Sequence, residues 1–183
     1  MLALNLWRRD NVDHPALGAA AVAVAVVWTG VALWAYASAR RRTPLLLGVD
    51  LAIAVAAIAL TPLAKGPDFD ATIPGFWVMG ALLAWAVHWH WKGGLAAAVV
   101  LSAADIGIRV SVGQPVDQGN YGNVFLLMIG GPIVGYMCAS LQRMAVERDA
   151  AQRVAAAAEE RTRLARAVHD GVLQVLSLSL IHI

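Results

Sequence analysis

His169 and Asp170 stand side by side near the C-terminal end of this 183-residue chain, and Gln174 follows one helical turn after Asp170. An imidazole beside a carboxylate is a pairing that nucleophilic and acid–base chemistry uses: the ring attacks or carries a proton, and the carboxylate orients it and takes up charge. Apolar residues at 164, 168, 172, 175 and 176 give the segment one helical stripe. His169 falls about 100° from that stripe and is expected at its exposed edge, with Asp170 and Gln174 together on a neighbouring face.

A second set of polar residues is embedded in apolar sequence. Asp50, Asp105 and Arg109 all lie within long hydrophobic stretches, where a charge near a bilayer centre costs about 2.5–3.5 kcal/mol. Asp105 and Arg109 are spaced i, i+4 and can partly neutralise each other on one helix face. They are candidates, with Asp50, for intramembrane sensing of a ligand, a potential or the membrane state. The alternatives are a structural pair, or an Arg109 that reaches outward to the interface. Asp50 has no evident partner in sequence. His88 and His90 suggest a metal or haem site, but residues i and i+2 point about 200° apart on a helix. An aromatic belt of Trp85, Trp89 and Trp91 at a membrane interface accounts for the cluster without a metal. Cys138 is the one cysteine; it allows neither an intrachain disulfide nor a cysteine-based zinc site and reads as a small packing residue.

The elements that carry these residues are apolar helices. The chain is 60% hydrophobic and 14% charged, whereas an ordinary soluble domain carries about 25% charged residues. Five stretches reach the roughly 20 residues that a bilayer core demands: 15–39, 44–63, 73–91, 93–112 and 122–141. Pro15, Pro44 and Pro74 sit at helix starts, where the missing N–H costs nothing. Pro132, beside Gly130 and Gly131, is expected to kink the last span. Lys92-Gly93-Gly94 reads as a tight turn between the third and fourth spans. The fold class is therefore all-α: a polytopic transmembrane bundle followed by a long cytoplasmic helix. The segment 142–159 is an uninterrupted run of helix formers, expected as a helical linker, with only a weak coiled-coil pattern.

Basic residues orient the bundle. With the C-terminus cytoplasmic, Arg40-Arg41-Arg42, Lys92, Arg143 and Arg148 are inside, while Lys65 with Asp68 and Asp70, and Asp117, are outside. The outlier is Arg8-Arg9, beside Asp10 and Asp13. Residues 1–14 read as the end of a truncated upstream span and an outer loop. No signal-peptide cleavage pattern follows the first apolar run. A net charge of +2 is too small to suggest direct nucleic-acid binding.

The run 160–174 resembles the phosphoacceptor helix of bacterial sensor histidine kinases of the NarX/DesK type, whose pattern is close to Glu-Arg-x-Arg-(Ile/Leu)-Ala-Arg-x-(Leu/Val)-His-Asp-x-x-x-Gln. Glu160, Arg161, Arg163, Leu164, Ala165, Arg166, Val168, His169, Asp170 and Gln174 match in register. The short-looped spans, helical linker and His-Asp-Gly-Val-Leu-Gln run further resemble the actinobacterial MacS-like branch, more loosely. The resemblance implies that His169 is the phosphorylated nucleophile and Asp170 its acid/base partner. Gln174 takes the place of the glutamine that positions a hydrolytic water, so phosphatase activity toward the response regulator is implied as well. It also implies that 160–178 is the first helix of a dimerisation and phosphotransfer domain. The implied partners are a second copy of the chain, a cognate response regulator and the lipid bilayer of the bacterial cytoplasmic membrane. ATP and Mg²⁺ would be bound by a further domain, because no Gly-rich nucleotide loop occurs here; this segment alone is expected to be inactive. Arg161, Arg163 and Arg166 either meet acidic partner surfaces or form a solvated face.

His169 lies about 40 Å along a helix from Gln142, a span suited to passing a helix shift from membrane to phosphoacceptor. Residues 179–183 read as the translation of a sequencing adapter, CTGTCTCTTATACACATCT, rather than as native chain, the alternative being native continuation of the apolar helix. Two other readings stay open: a small multi-span transporter or channel subunit with an assembly tail, which the Asp105/Arg109 pair favours, and a non-catalytic membrane dimerisation protein. The loops 64–72 and 113–121 are too short for a folded sensor domain, which places sensing within or at the membrane.

Overall fold

Proline, threonine and glycine set the helix boundaries. The computed structural model describes residues 13–69 and 71–181, with the side chains of 39, 167 and 170–181 outside the described set. The readings made for residues 1–12, Asp70, His182 and Ile183 therefore fall outside the described residues. The structure is 86% helix, without a strand among the described residues. Helix α1 (Pro15–Tyr36) opens on Pro15. Helix α2 (Pro44–Ala59) is capped by Thr43, whose Oγ1 accepts from the Leu46 N–H. A short α3 (Thr61–Lys65) stops at Gly66, whose φ of 82° is open to glycine and strained for other residues. A 3₁₀ turn (Gly75–Val78) leads into α4 (Met79–Ser111), and α5 runs Gln118–Ile181. The Asp117 carboxylate accepts from the Asn120 N–H at the start of α5.

Among the described residues, four helical stretches are long and apolar enough to cross a membrane: Pro15–Tyr36, Pro44–Lys65, Gly75–Ser111 and Gln118–Arg166. The third contains two antiparallel arms. Trp89 and His90 leave helical geometry, His90 at φ 57° and ψ −144°. On a straight axis Trp85 and Gly93 would be about 12 Å apart, yet a Cβ built on Gly93 would overlap the Trp85 carbonyl oxygen. The axis therefore doubles back. The reversal sits at Trp89-His90, slightly ahead of the Lys92-Gly93-Gly94 turn expected from sequence. The glycines serve close packing against neighbouring backbone, and a histidine takes the positive φ at a cost of about 1–3 kcal/mol.

Side-chain bonds fix the neighbours of each helix. Along α1 and α2, Trp28 bonds to Asp50 and the His14 N–H to the Ala64 carbonyl, so the two run antiparallel. Between α2 and the first arm of α4, the Trp85 indole donates to the Leu47 carbonyl at 2.9 Å, and the Ile73 N–H to Thr61 Oγ1 at 3.2 Å. Leu51, Ala54, Ile58, Leu82, Ala97, Ala98, Leu101 and Leu127 form the buried core between these elements. Arg40–Arg42 and Lys92 thus gather at one end of the bundle, and Lys65 and Arg109 at the other. The first arm with its 3₁₀ turn covers only residues 75–88, roughly 20 Å of helix. Ahead of it, Phe69 and Ile73 are buried against the bundle.

The membrane portion of α5 is seated through glycine. A Cβ on Gly131 would meet the Gly94 backbone, and one on Gly135 would overlap the backbone of His90 and Trp91. Small residues four apart let helix backbones approach where lipid supplies no hydrophobic drive between helices. The helix continues through Pro132 without interruption. The chain divides into one unit up to Ala139 and a second, Ser140–Ile183; in the second, residues 141–166 are all exposed.

Gly130 and Gly131 supply an internal control, because a Cβ on Gly130 meets nothing within 4 Å. Gly131→Ala is expected to destabilise by about 1–3 kcal/mol through overpacking, and Gly130→Ala to be neutral or stabilising by up to about 1 kcal/mol. Unfolding of the two variants in mixed micelles, followed by circular dichroism, separates them.

Candidate functional site

Residues 66–69 and 71–74 form neither helix nor strand, and Gly66, Phe69, Ile73 and Pro74 among them are buried, where a carbonyl needs a donor that water cannot supply. Phe69 is 1% exposed and Ile73 5%. Arg109 Nη1 and Gln114 Nε2 both donate to the Phe69 carbonyl, at 3.5 and 3.2 Å. The Arg109 guanidinium also donates to Gln114 Oε1 at 3.2 Å and lies 4.9 Å from the centre of the Phe69 ring. Lys65 Nζ donates to the Ala71 carbonyl at 2.8 Å, although its residue is only 8% exposed. A segment that reads as an outer loop in sequence turns Phe69 and Ile73 inward, with two buried cations bonded to its carbonyls, while Pro67, Asp68 and Ala71 stay exposed.

Asp105 and Arg109 meet as their spacing predicts, with Arg109 Nε 3.5 Å from Asp105 Oδ1. Arg109 does not extend outward to an interface: it is 5% exposed, covered by Phe69 and Gln114. The pair lines a cavity of about 180 Å³, bounded by Ala71, Thr72 and Gly75 of the inward segment, Leu101 of α4, and Asn123 and Leu126 of α5. A charged pair, a lid of irregular backbone and one wall made by α5 therefore come together at a single place.

Asp50 belongs elsewhere. It is 5% exposed and accepts from two neutral donors of α1, Trp28 Nε1 at 2.7 Å and Tyr36 Oη at 2.8 Å. Sequence gave it no partner because both donors lie on another helix. Near it, the Trp77 indole donates to Thr29 Oγ1, which itself donates to the Ala25 carbonyl. Of the membrane charges, Asp50 thus clamps two helices, whereas Asp105 and Arg109 face a cavity.

His88 packs edge-on to Trp89 at 4.6 Å, and Trp85 and Trp89 are likewise 4.6 Å apart. Among the described residues no group of three His, Cys, Asp or Glu side chains could hold a metal. At the same end, the Arg41 guanidinium stacks 3.8 Å over Trp34.

On α5, His169 is exposed, as are Leu164 and Val168 of the apolar stripe. Asp170 and Gln174 are on the same helix, and their side chains lie outside the described residues. Arg163 pairs with Glu160 at 3.3 Å on the solvated surface, a contact worth little on its own. Sequence reasoning missed Lys65, Phe69, Gln114 and the Trp28/Tyr36 donors. The one available signal was a polar handle on aromatic residues in otherwise apolar helices.

The ion pair has a direct test. Arg109→Leu leaves the mostly buried Asp105 carboxylate beside an apolar side chain and is expected to cost about 2–4 kcal/mol, below the cost for a fully buried pair. The double substitution Asp105→Leu/Arg109→Leu removes both charges, while Gln114 still holds the Phe69 carbonyl, and should cost less than the single one. Denaturant titration of both variants in micelles checks the order.

No curated protein and no solved structure matches the chain significantly. The profile of one family matches residues 1–151, a stretch that holds the first three membrane-length stretches, the first part of the fourth and the residues that line the cavity. The chain belongs to that family, DUF5931, whose function is unknown.

Proposed function

We propose that this chain is the membrane-sensing and phosphoacceptor part of a two-component sensor histidine kinase in the bacterial cytoplasmic membrane. The observation that carries the reading is the ten-position run from Glu160 to Gln174, with an exposed His169 on the helix that follows the membrane spans. The two arms of α4 are counted as separate crossings, which gives five spans and a cytoplasmic C-terminus. Arg40–Arg42 and Lys92 at one end of the bundle support that orientation. Residues 142–159 act as the signalling linker.

In this reading the His169 imidazole attacks the γ-phosphorus of ATP, the bond to ADP breaks, and Asp170 orients the ring and takes its proton. ATP and Mg²⁺ are held by a separate catalytic domain, the metal neutralising phosphate charge. The phosphoryl group then passes to an aspartate of the response regulator, and Gln174 positions the water that later removes it. Leu164 and Val168 have no cover in a single chain; a second copy supplies it when two such helices pair in a four-helix bundle.

The test uses membrane vesicles containing the natural protein that carries this segment, incubated with γ-labelled ATP. Label resistant to base and lost in acid marks phosphohistidine. His169→Gln is expected to abolish it, and Asp170→Asn to slow it by about 10²-fold or more, with membrane insertion unchanged. Gln174→Ala should spare labelling and slow loss of phosphate from the regulator. Labelling that persists in His169→Gln would overturn the assignment.

A further inference from the structure

The cavity beneath the inward segment is too well built to be a packing fault. Its polar wall is the Asp105–Arg109 pair, its lid is the segment anchored by Lys65 and Arg109, and its mouth is rimmed by Phe76 and Leu126, which are 59% and 50% exposed. We infer that it binds a small neutral aromatic molecule bearing one hydrogen-bond donor, such as a phenol. The inference does not depend on the kinase reading, because it concerns occupancy alone.

Three observations fix the chemistry of the ligand. The volume of about 180 Å³ is close to the roughly 150 Å³ that accommodates a benzene ring, and well short of the roughly 300 Å³ at which drug-sized sites begin. Among the described lining residues the two charges, Asp105 and Arg109, cancel, so a neutral occupant suits their low-dielectric site. The exposed apolar rim belongs to two stretches of membrane-spanning length, Gly75–Ser111 and Gln118–Arg166, and an apolar entrance favours neutral molecules over ions.

The choice of a donor follows from the two charged groups. Arg109 Nη1 already donates to the Phe69 carbonyl and to Gln114 Oε1, and its Nε lies 3.5 Å from Asp105 Oδ1. The Asp105 side chain is the more open of the two, 15% exposed against 6%. Its contact with Arg109 Nε, at 3.5 Å, is long for a charge-assisted hydrogen bond. The carboxylate therefore has acceptor capacity to give, and an O–H from the cavity would fill it.

The probe is 4-fluorophenol, followed by fluorine NMR on the full chain in nanodiscs of phosphatidylethanolamine and phosphatidylglycerol, against empty nanodiscs. Saturable binding, competed by phenol and about tenfold or more tighter than that of fluorobenzene, is the expected result. 4-Fluorobenzoate and 4-fluorobenzylamine should bind more weakly. Leu126→Trp, which fills the mouth and leaves both charges in place, should remove saturable binding, and Asp105→Asn should weaken it by about tenfold. Equal binding of fluorobenzene, tighter binding of the benzoate, no saturable signal, or an unchanged signal in Leu126→Trp would each overturn the proposal. If Asp105→Asn loses its helix content, the ligand comparison and Leu126→Trp decide the matter. Phosphohistidine labelling is not read in this experiment, so its failure and that of the kinase reading are distinct.

Discussion

Backbone carbonyls enclosed by helices must find donors, and the segment 66–74 meets that constraint with side chains rather than with secondary structure. Arg109 and Gln114 converge on the Phe69 carbonyl, Lys65 reaches that of Ala71, and Thr61 accepts from the Ile73 N–H. Remove these donors and the segment cannot stay inside, since an unmet amide costs several kcal/mol where water is absent. The inward segment in turn shortens the first arm of α4, and the space left between that arm and α5 is the cavity. A costly pair of cations thus has a structural reason to be buried, and the cavity exists as its consequence.

The same rule governs Asp50, with a different outcome. A carboxylate that accepts from Trp28 and Tyr36 ties α1 to α2, and α1 has little else to hold it: only Ala25 and Ala35 of its residues are buried. Interhelical hydrogen bonds of this kind are each worth about 0.6–2 kcal/mol in membranes. They set position more than stability. Glycine does the complementary work on α5, where contact between backbones at Gly94, Gly131 and Gly135 replaces side-chain bonding.

Much of the helical framework was legible in sequence because apolar runs and proline starts are local signals. The Asp105–Arg109 contact was legible for the same reason: both partners lie on one helix, four residues apart. The turn between the arms of α4 was misplaced because Gly93 and Gly94 carry the usual mark of a turn. In the fold they carry close packing, and a strained His90 makes the reversal. The inward segment was not legible at all. Its composition, with Gly66, Pro67, Asp68 and Pro74, is that of a surface loop, and its hydrogen-bond partners come from residues 61, 65, 109 and 114. No local pattern encodes partners so far apart in the chain.

The walls of the cavity differ in how firmly they are held, and the difference has a direction. The lid is fixed by hydrogen bonds, two of them from the charged groups of Arg109 and Lys65, which resist displacement steeply with distance. The α5 wall, by contrast, is seated on its neighbour through van der Waals contact at Gly131 and Gly135, one to three turns beyond Asn123 and Leu126. Dispersion contacts are individually weak, about 0.1–0.2 kcal/mol per atom pair, and a smooth glycine surface lets one helix turn on another without breaking a bond. Pressure from an occupant would therefore be relieved by α5 rather than by the lid. Because α5 is one element from Gln118 to Ile181, the wall that gives way belongs to the same helix as His169.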